Sequence, residues 1–197
     1  MDICRISRRL TAEMAEEGYR KGMFPMSETG LGLVTWHRPH TRAILPLESF
    51  HISRSLRRTL RRGGFEVTFD RDFEGVMRAC AQRDPTWISE EFVQVYGDLQ
   101  RQGKAHSVEV WVGADLAGGV YGVHLGGAFF AESKFHSVTG MSKVALASLV
   151  ERLRQRGFAL LEVQYLTEHL AQFGVVEISH QEYLRRLERA LAMERQF

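Results

Sequence analysis

The chain has 197 residues, 44% hydrophobic and 25% charged, enough to bury the core of one large domain or two small ones. No apolar run reaches the eighteen or so residues of a membrane span, and the first eighteen residues lack the apolar stretch and cleavage site of a secretory leader. Net charge is only +2, yet residues 1–64 hold twelve Lys/Arg against six Asp/Glu and the remainder fourteen against eighteen, an asymmetry that fits a nucleic-acid footprint. Cys4 and Cys80 are too few and too far apart for a disulfide framework or a zinc knuckle, so a reducing, cytoplasmic setting is expected.

In chain order, residues 11–21 read as a short helix. Thr11 is its N-cap, Glu13, Glu16 and Glu17 lie toward its start, and Gly22 closes it. Residues 30–46 read as two short strands around a proline-containing turn. "HISRSLRRTLRR" (51–62) follows as a helix stopped by Gly63 and Gly64, and "FEVTF" (65–69) alternates as a strand. Helices are expected over about 72–82 and 89–102, the second capped by Ser89 with Glu90 and Glu91 favouring its dipole. "HSVEVWVGADLAGGVYGVHLGGAFFAES" reads as three strands in an antiparallel meander. A helix over 142–156, a largely buried strand "FALLEVQYL" and an amphipathic final helix striped by Tyr183, Leu184, Leu187 and Leu191 complete the chain. The pattern is α+β, a mostly antiparallel sheet with flanking helices. A boundary near residues 62–66 divides it into a small N-terminal portion with the basic helix (1–64) and a second portion (65–197).

At 100° per residue, Arg54, Arg57, Arg58, Arg61 and Arg62 fall within an arc of about 140°, with Ile52, Leu56 and Leu60 opposite. Solvated helices usually interleave acids at i, i+4, but none lies between Glu48 and Glu66. Arginine's planar fork suits phosphate bidentately, so the face fits a polyanion; a plain solvated face is the alternative. His37 and His40 have a spacing that a metal site can use. Without a third ligand nearby they read as turn histidines, and no metal is expected.

The second half carries more specific strings. "GGAFFAESKFHSVTGMSKVAL" followed by "LLEVQYLTEHLAQFG" resembles the catalytic half of the leucyl/phenylalanyl-tRNA–protein transferases. "YRKGMFPM", "HISRS", "TWIS", "HSVEVW" and "GGVYGV" resemble that family's motifs in the same order, from Gly18 to Tyr183. The resemblance implies a GNAT-like catalytic domain behind a small, shortened N-terminal α/β portion. It implies transfer of Leu or Phe from an aminoacyl-tRNA to a protein N-terminus, commonly one starting with Arg or Lys, with Asp or Glu an alternative, so that the product is marked for degradation. An aminoacyl ester is already activated, so no cofactor is expected; the protein has to position the ester, exclude water and keep the attacking amine neutral.

By the same resemblance Glu162 and Gln164 form the catalytic pair, the glutamine carbonyl holding the attacking amine and the acid orienting it. On a regular strand the two project from one face, with Leu161, Val163 and Tyr165 on the other. A partly buried, salt-bridged strand acid is the alternative for Glu162. Glu132, in "AES", aligns with the family's acid and is a third catalytic candidate. Trp36 and Trp87 align with aromatics that hold the 3′-terminal adenosine, although a lone Trp is more often packing. Phe129, Phe130, Ser133, Phe135 and Ser142, with Val144 and Leu146, are candidates for the aminoacyl pocket or ordinary core. Lys143, at a helix start with free amides, joins the five arginines as a tRNA-binding candidate or is a surface lysine.

Four departures stand out: the family's "GGDL"-like N-terminal segment is missing, Glu162 replaces its usual Asp, Gly140 an Asn, and Lys134 a Met. Two rival functions remain. An acyl-CoA N-acetyltransferase on the same fold is disfavoured because "HSVTGMSK" lacks the Q/R-x-x-G-x-G/A loop. A catalytically silent tRNA-binding relative is favoured only by the departures.

Overall fold

A computed structural model describes residues 3–28 and 31–197; Gly30, where the first expected strand pair begins, lies outside them. The N-terminal elements are β1 (Ile3–Ser7), α1 (Ala12–Arg20), β2 (Phe24–Glu28), β3 (Leu33–His37), β4 (Thr41–Ile44) and α2 (Arg54–Arg62). Then follow β5 (Glu66–Phe69), α3 (Phe73–Ala81), α4 (Glu90–Arg101), β6 (Ala105–Val112), β7 (Asp115–Leu125) and β8 (Ala128–His136). The chain closes with α5 (Met141–Gln155), β9 (Leu160–Gln164), α6 (Glu168–Ala171), β10 (Val176–Ser179) and α7 (His180–Leu191). The helix starts follow local chemistry: Thr11, Ser53 and Ser89 each accept the N–H three residues on.

The strands form two sheets, β1-β3-β2 and β10-β4-β9-β8-β7-β6-β5. Among the described residues every pairing is antiparallel except β8 with β9, so the α+β expectation holds. The expected strands before Pro46 both form, but they do not pair with each other. β3 takes β1 and β2 as neighbours, while β4, whose "AI" is buried, lies inside the large sheet between β10 and β9. β4 and α2 both precede residue 64, so the expected division there does not coincide with the division between sheets. Alternation sends neighbouring residues of the large sheet into two cores. Phe130 joins Tyr19, Trp36, Phe92 and Tyr96 beneath α1, α3, α4 and α7, whereas Phe129 joins Leu56, Leu149 and Phe173 beneath α2 and α5.

Besides a register shift between β6 and β7 at Val110 and Trp111, two irregularities interrupt the pairing of the large sheet among the described residues. Gly122 faces Ala131 and Tyr121 faces Ser133, leaving Glu132 as an extra residue of β8. Ala43 faces Gln164 and Ile44 faces Glu162, leaving Val163 as an extra residue of β9. Such bulges bend a strand and re-aim its side chains. Gly122 permits the first, because a Cβ there would lie 2.2 Å from the Phe130 carbonyl oxygen.

Candidate active site

The parallel pairing of β8 with β9 covers only residues 128–130 against 160–162. Beyond it, residues 131–134 and 163–165 line two sides of a cavity of about 460 Å³. Phe24, Pro25 and Met26 of β2, Arg83 and Trp87 from the α3–α4 connection, and Ser142 and Leu146 of α5 supply further walls. Three successive residues, the last two of β9 and Tyr165 after it, cannot face one cavity along a regular strand. Here the bulge at Val163 and a left-handed φ of 64° at Gln164 break the alternation. The expectation of Glu162 and Gln164 on one face with Val163 and Tyr165 on the other is corrected accordingly.

Glu132, at the β8 bulge, is 7% exposed. Its Oε1 accepts the Gln164 Nε2–H at 3.0 Å, and among the described residues its buried Oε2 has no hydrogen-bond partner. Burial pushes its carboxyl up to about 8, with the Glu162 carboxylate adding to the rise and Tyr19, Gln164 and Arg42 opposing it. Tyr19 in turn shares a hydroxyl hydrogen bond with Tyr96 deep in the core.

Glu162 lies beneath this pair, fully buried and outside the cavity lining. Its Oε1 accepts Nε (3.2 Å) and Nη2 (2.8 Å) of Arg42 and the main-chain N–H of Gln164 (2.8 Å). Burial raises its carboxyl and the guanidinium opposes the rise. The guanidinium does not deprotonate, and a single oxygen of Glu162 takes three N–H donors. The extra methylene of Glu over the family's Asp therefore sits in a contact with Arg42 and with the backbone of Gln164, not with the cavity.

Of the other candidates, Trp87, Ser133 and Ser142 line the cavity. Arg83 donates to Ser133 Oγ at 3.0 Å, and Ser142 Oγ meets His136 Nδ1 at 3.3 Å. Trp36 does not reach the cavity. It is 0% exposed, its indole N–H donates to Ser7 Oγ, the Arg5 guanidinium covers its ring, and a Cβ on Gly18 would lie 2.2 Å from it. Phe129 and Phe130 are core residues on opposite sheet faces, Val144 is a residue of α5 buried in the second core, and Phe135 packs half-buried against the first core. Lys143 donates to Gln172 and lies over the Phe173 ring, away from the lining. His37 is no turn residue: it ends β3, buried, bonded to Thr35 and stacked on Phe24.

The five arginines of α2 are all exposed, and among the described residues none is ion-paired. Buried Leu56 and half-buried Ile52 and Leu60 anchor the helix to the second core. Thr59 on α2 lies 3.9 Å from where Gly140 would carry a Cβ, and Gly140 caps α5 two residues before Ser142. The arginine helix and the cavity thus meet at one end of α5. Gly140 holds φ 92°, a conformation that Gly and Asn accept most readily, so this departure keeps the local geometry. Lys134 lies on the cavity wall, where burial lowers its amine.

Sequence reasoning missed Arg42, Arg83 and the Tyr19–Tyr96 pair. A signal existed for the first: Arg42 in "RAIL" and Glu162 in "LLEVQ" are opposite charges set in apolar strands, which become buried only as partners. The tyrosines carry no comparable mark.

The family model for leucyl/phenylalanyl-tRNA protein transferase matches residues 44–188. A leucyl/phenylalanyl-tRNA–protein transferase of Rubrobacter xylanophilus is 52% identical over 190 residues, covering 96% of this chain and 99% of the relative. One from Ruegeria pomeroyi is 54% identical over 183 residues, covering 92% and 87%. Among solved structures, L-PGS from Bacillus licheniformis aligns at 13% identity with a TM-score of 0.45, covering 93% of this chain and 64% of that one. With the cavity at the open seam of β8 and β9 and half-identity along nearly the whole chain, the protein belongs to the leucyl/phenylalanyl-tRNA–protein transferase family.

Proposed function

We propose that this cavity carries Leu or Phe from the 3′ end of an aminoacyl-tRNA to the α-amine of a protein N-terminus, in the cytoplasm, tagging the acceptor for degradation. The observation that carries the reading is the bond between buried Glu132 and half-buried Gln164, which opens into a cavity with apolar walls. Phe24, Val120, Leu146 and Val163 offer an apolar seat for the aminoacyl side chain and shield the ester from water. Half-buried Trp87 offers a ring for the terminal base. The arginine face of α2, at the same end of α5, takes the acceptor stem.

The chemistry requires a neutral amine and a protonated leaving group. An α-ammonium releases its proton near 8, where Glu132 accepts one, so the transfer between them is close to balanced. Gln164 Nε2 is held by Glu132, which leaves its side-chain carbonyl to accept an N–H of the amine and aim the lone pair. The amine forms the C–N bond and the ester C–O bond breaks as the proton held by Glu132 passes to the departing 3′ oxygen; the emptied Glu132 carboxylate then takes the second proton, which the nitrogen sheds in becoming an amide. Glu162 acts from below as a positioning acid.

Arg or Lys at the acceptor N-terminus is the family reading. A second reading, Asp or Glu, is favoured by Arg83 and Lys134 on the wall, facing a Glu132 that is largely neutral at pH 7. Purified protein incubated with radiolabelled Leu- or Phe-tRNA and peptides starting with Arg, Lys, Asp or Glu, without CoA, tests both. Peptide labelling supports transfer, and the panel identifies the acceptor. Labelling that needs acetyl-CoA and ignores tRNA rejects the proposal, and tRNA binding with no labelled peptide leaves a silent relative. Gln164→Ala should lower kcat by about 10²-fold with tRNA affinity retained.

A further inference from the structure

Under the reading that Gln164 meets the attacking amine, its conformation needs a cause. A non-glycine residue at φ 64° persists only where its surroundings hold it. The hold visible here is the main-chain N–H of Gln164, taken by Glu162 Oε1 at 2.8 Å. That oxygen is itself fixed by two N–H groups of Arg42, while Glu162 Oε2 is buried with no hydrogen-bond partner among the described residues. The pairing is therefore one-sided: it does not satisfy the carboxylate evenly, as a two-oxygen fork would, but gathers every donor at the atom that also holds Gln164.

Arg42 is well placed for this. It is 0% exposed, its Nη1 donates to the Gly22 carbonyl at 2.8 Å, and its Nη2 lies 3.3 Å from the Tyr183 hydroxyl. Its Cζ sits 4.3 Å from the Tyr183 ring centroid and 5.1 Å from that of Phe24. Contacts from α7, β2 and the turn after α1 thus lock the guanidinium before it touches β9. We infer that Arg42 is a positioning residue for the transfer: it fixes Glu162 Oε1, which captures the Gln164 N–H and turns the Gln164 carboxamide into the cavity against Glu132. Arg42 touches no substrate; its hold on the attacking amine runs through Gln164.

A structural role alone also weakens the enzyme when Arg42 is changed, so the test measures coupling. Steady-state kinetics and Tm are recorded for wild type, Arg42→Lys, Gln164→Ala and the double variant. Lysine keeps the charge but lacks the fork. A displacement of about an ångström at Gln164 should lower kcat of Arg42→Lys roughly 10²-fold, with KM for aminoacyl-tRNA within about twofold. In the Gln164→Ala background the same change should lower kcat by no more than about twofold, because the side chain it positions is gone. An equal loss in both backgrounds overturns the inference, as does a loss confined to KM, which would mean that Arg42 acts by shaping the Phe24 wall. If Gln164→Ala keeps wild-type kcat, the reading of Gln164 falls and the inference with it. Should Arg42→Lys not fold, Arg42→Met with Glu162→Met removes both charges together, a change that buried ion pairs commonly tolerate. That chain should stay folded and show the same kcat loss; wild-type kcat would overturn the inference.

Discussion

A buried carboxyl that receives one amide N–H and leaves its second oxygen unbonded keeps its proton far above the ordinary glutamate range, and Glu132 does so up to about 8. The groups around it are Tyr19 of α1, Tyr96 of α4, Tyr121 of β7, Gln164 and Glu162 of β9, and Arg42 of β4, whose charge is taken by Glu162. Between the unfolded glutamate range and about 8, the folded chain holds a proton that the unfolded chain has released. This contribution is complete below the unfolded value and is lost as pH rises through about 8, at a slope of about 1.4 kcal/mol per pH unit for one proton. Glu132→Gln, which cannot titrate, should therefore lose less Tm than wild type between pH 5.5 and 8.5 in thermal melts. With saturating acceptor, kcat of wild type and variant should both climb with pH toward about 8, because the acceptor α-ammonium titrates there, and the variant should run about 10²-fold slower throughout. A variant that keeps the wild-type rate places the proton acceptor elsewhere. Glu132 could be named as a candidate because its motif is contiguous, and the fold places it on the cavity wall. Arg42 and Tyr19 were not, since their partners lie 120 and 77 residues away and only the folded chain brings them together.

Elements whose determinants are local were readable in advance. α1, α2 and α4 begin where a Thr or Ser oxygen takes an N–H three residues on, and the meander of β6, β7 and β8 follows its alternation. β1, β2 and β10 were missed: β1 and β10 are short and mostly exposed, β2 contains Pro25, and all three are defined by the strands beside them. For α2 the sequence yields the whole device, an anchored leucine face and an arginine face without acids. Replacing Arg54, Arg58 and Arg61 by Gln leaves Leu56 and Leu60 in place, so Tm should hold. If the three meet phosphates, the slope of log affinity for tRNA against log salt should shrink by about 2 to 3. kcat at saturating donor should match wild type. An unchanged salt slope would return α2 to the status of a solvated helix.

At the scale of the molecule, the site is not the property of either half. Phe24 and Met26 wall the cavity from the small sheet, Arg42 reaches from β4 to β9, and the seam between β8 and β9 lies in the second half. The two tryptophans aligned with adenosine contacts show what such an assembly does to a motif. Trp36 is wedged between β1 and α1, where Gly18 leaves room for its ring, and it belongs to the core; Trp87 sits at the cavity, edge-on to Phe92. A sequence motif records that a residue type is needed, not whether packing or ligand needs it, and the two demands separate in variants. Trp36→Phe removes buried volume and should cost about 1–3 kcal/mol, lowering Tm by about 2–4 °C for each kcal/mol. At a temperature where it stays folded, its KM for aminoacyl-tRNA should equal wild type. Trp87→Ala forfeits a base stack of about 1–3 kcal/mol, so KM should rise roughly tenfold, with Tm close to wild type. The reverse pattern, a raised KM for Trp36→Phe and none for Trp87→Ala, would move the adenosine seat from the cavity to the small sheet.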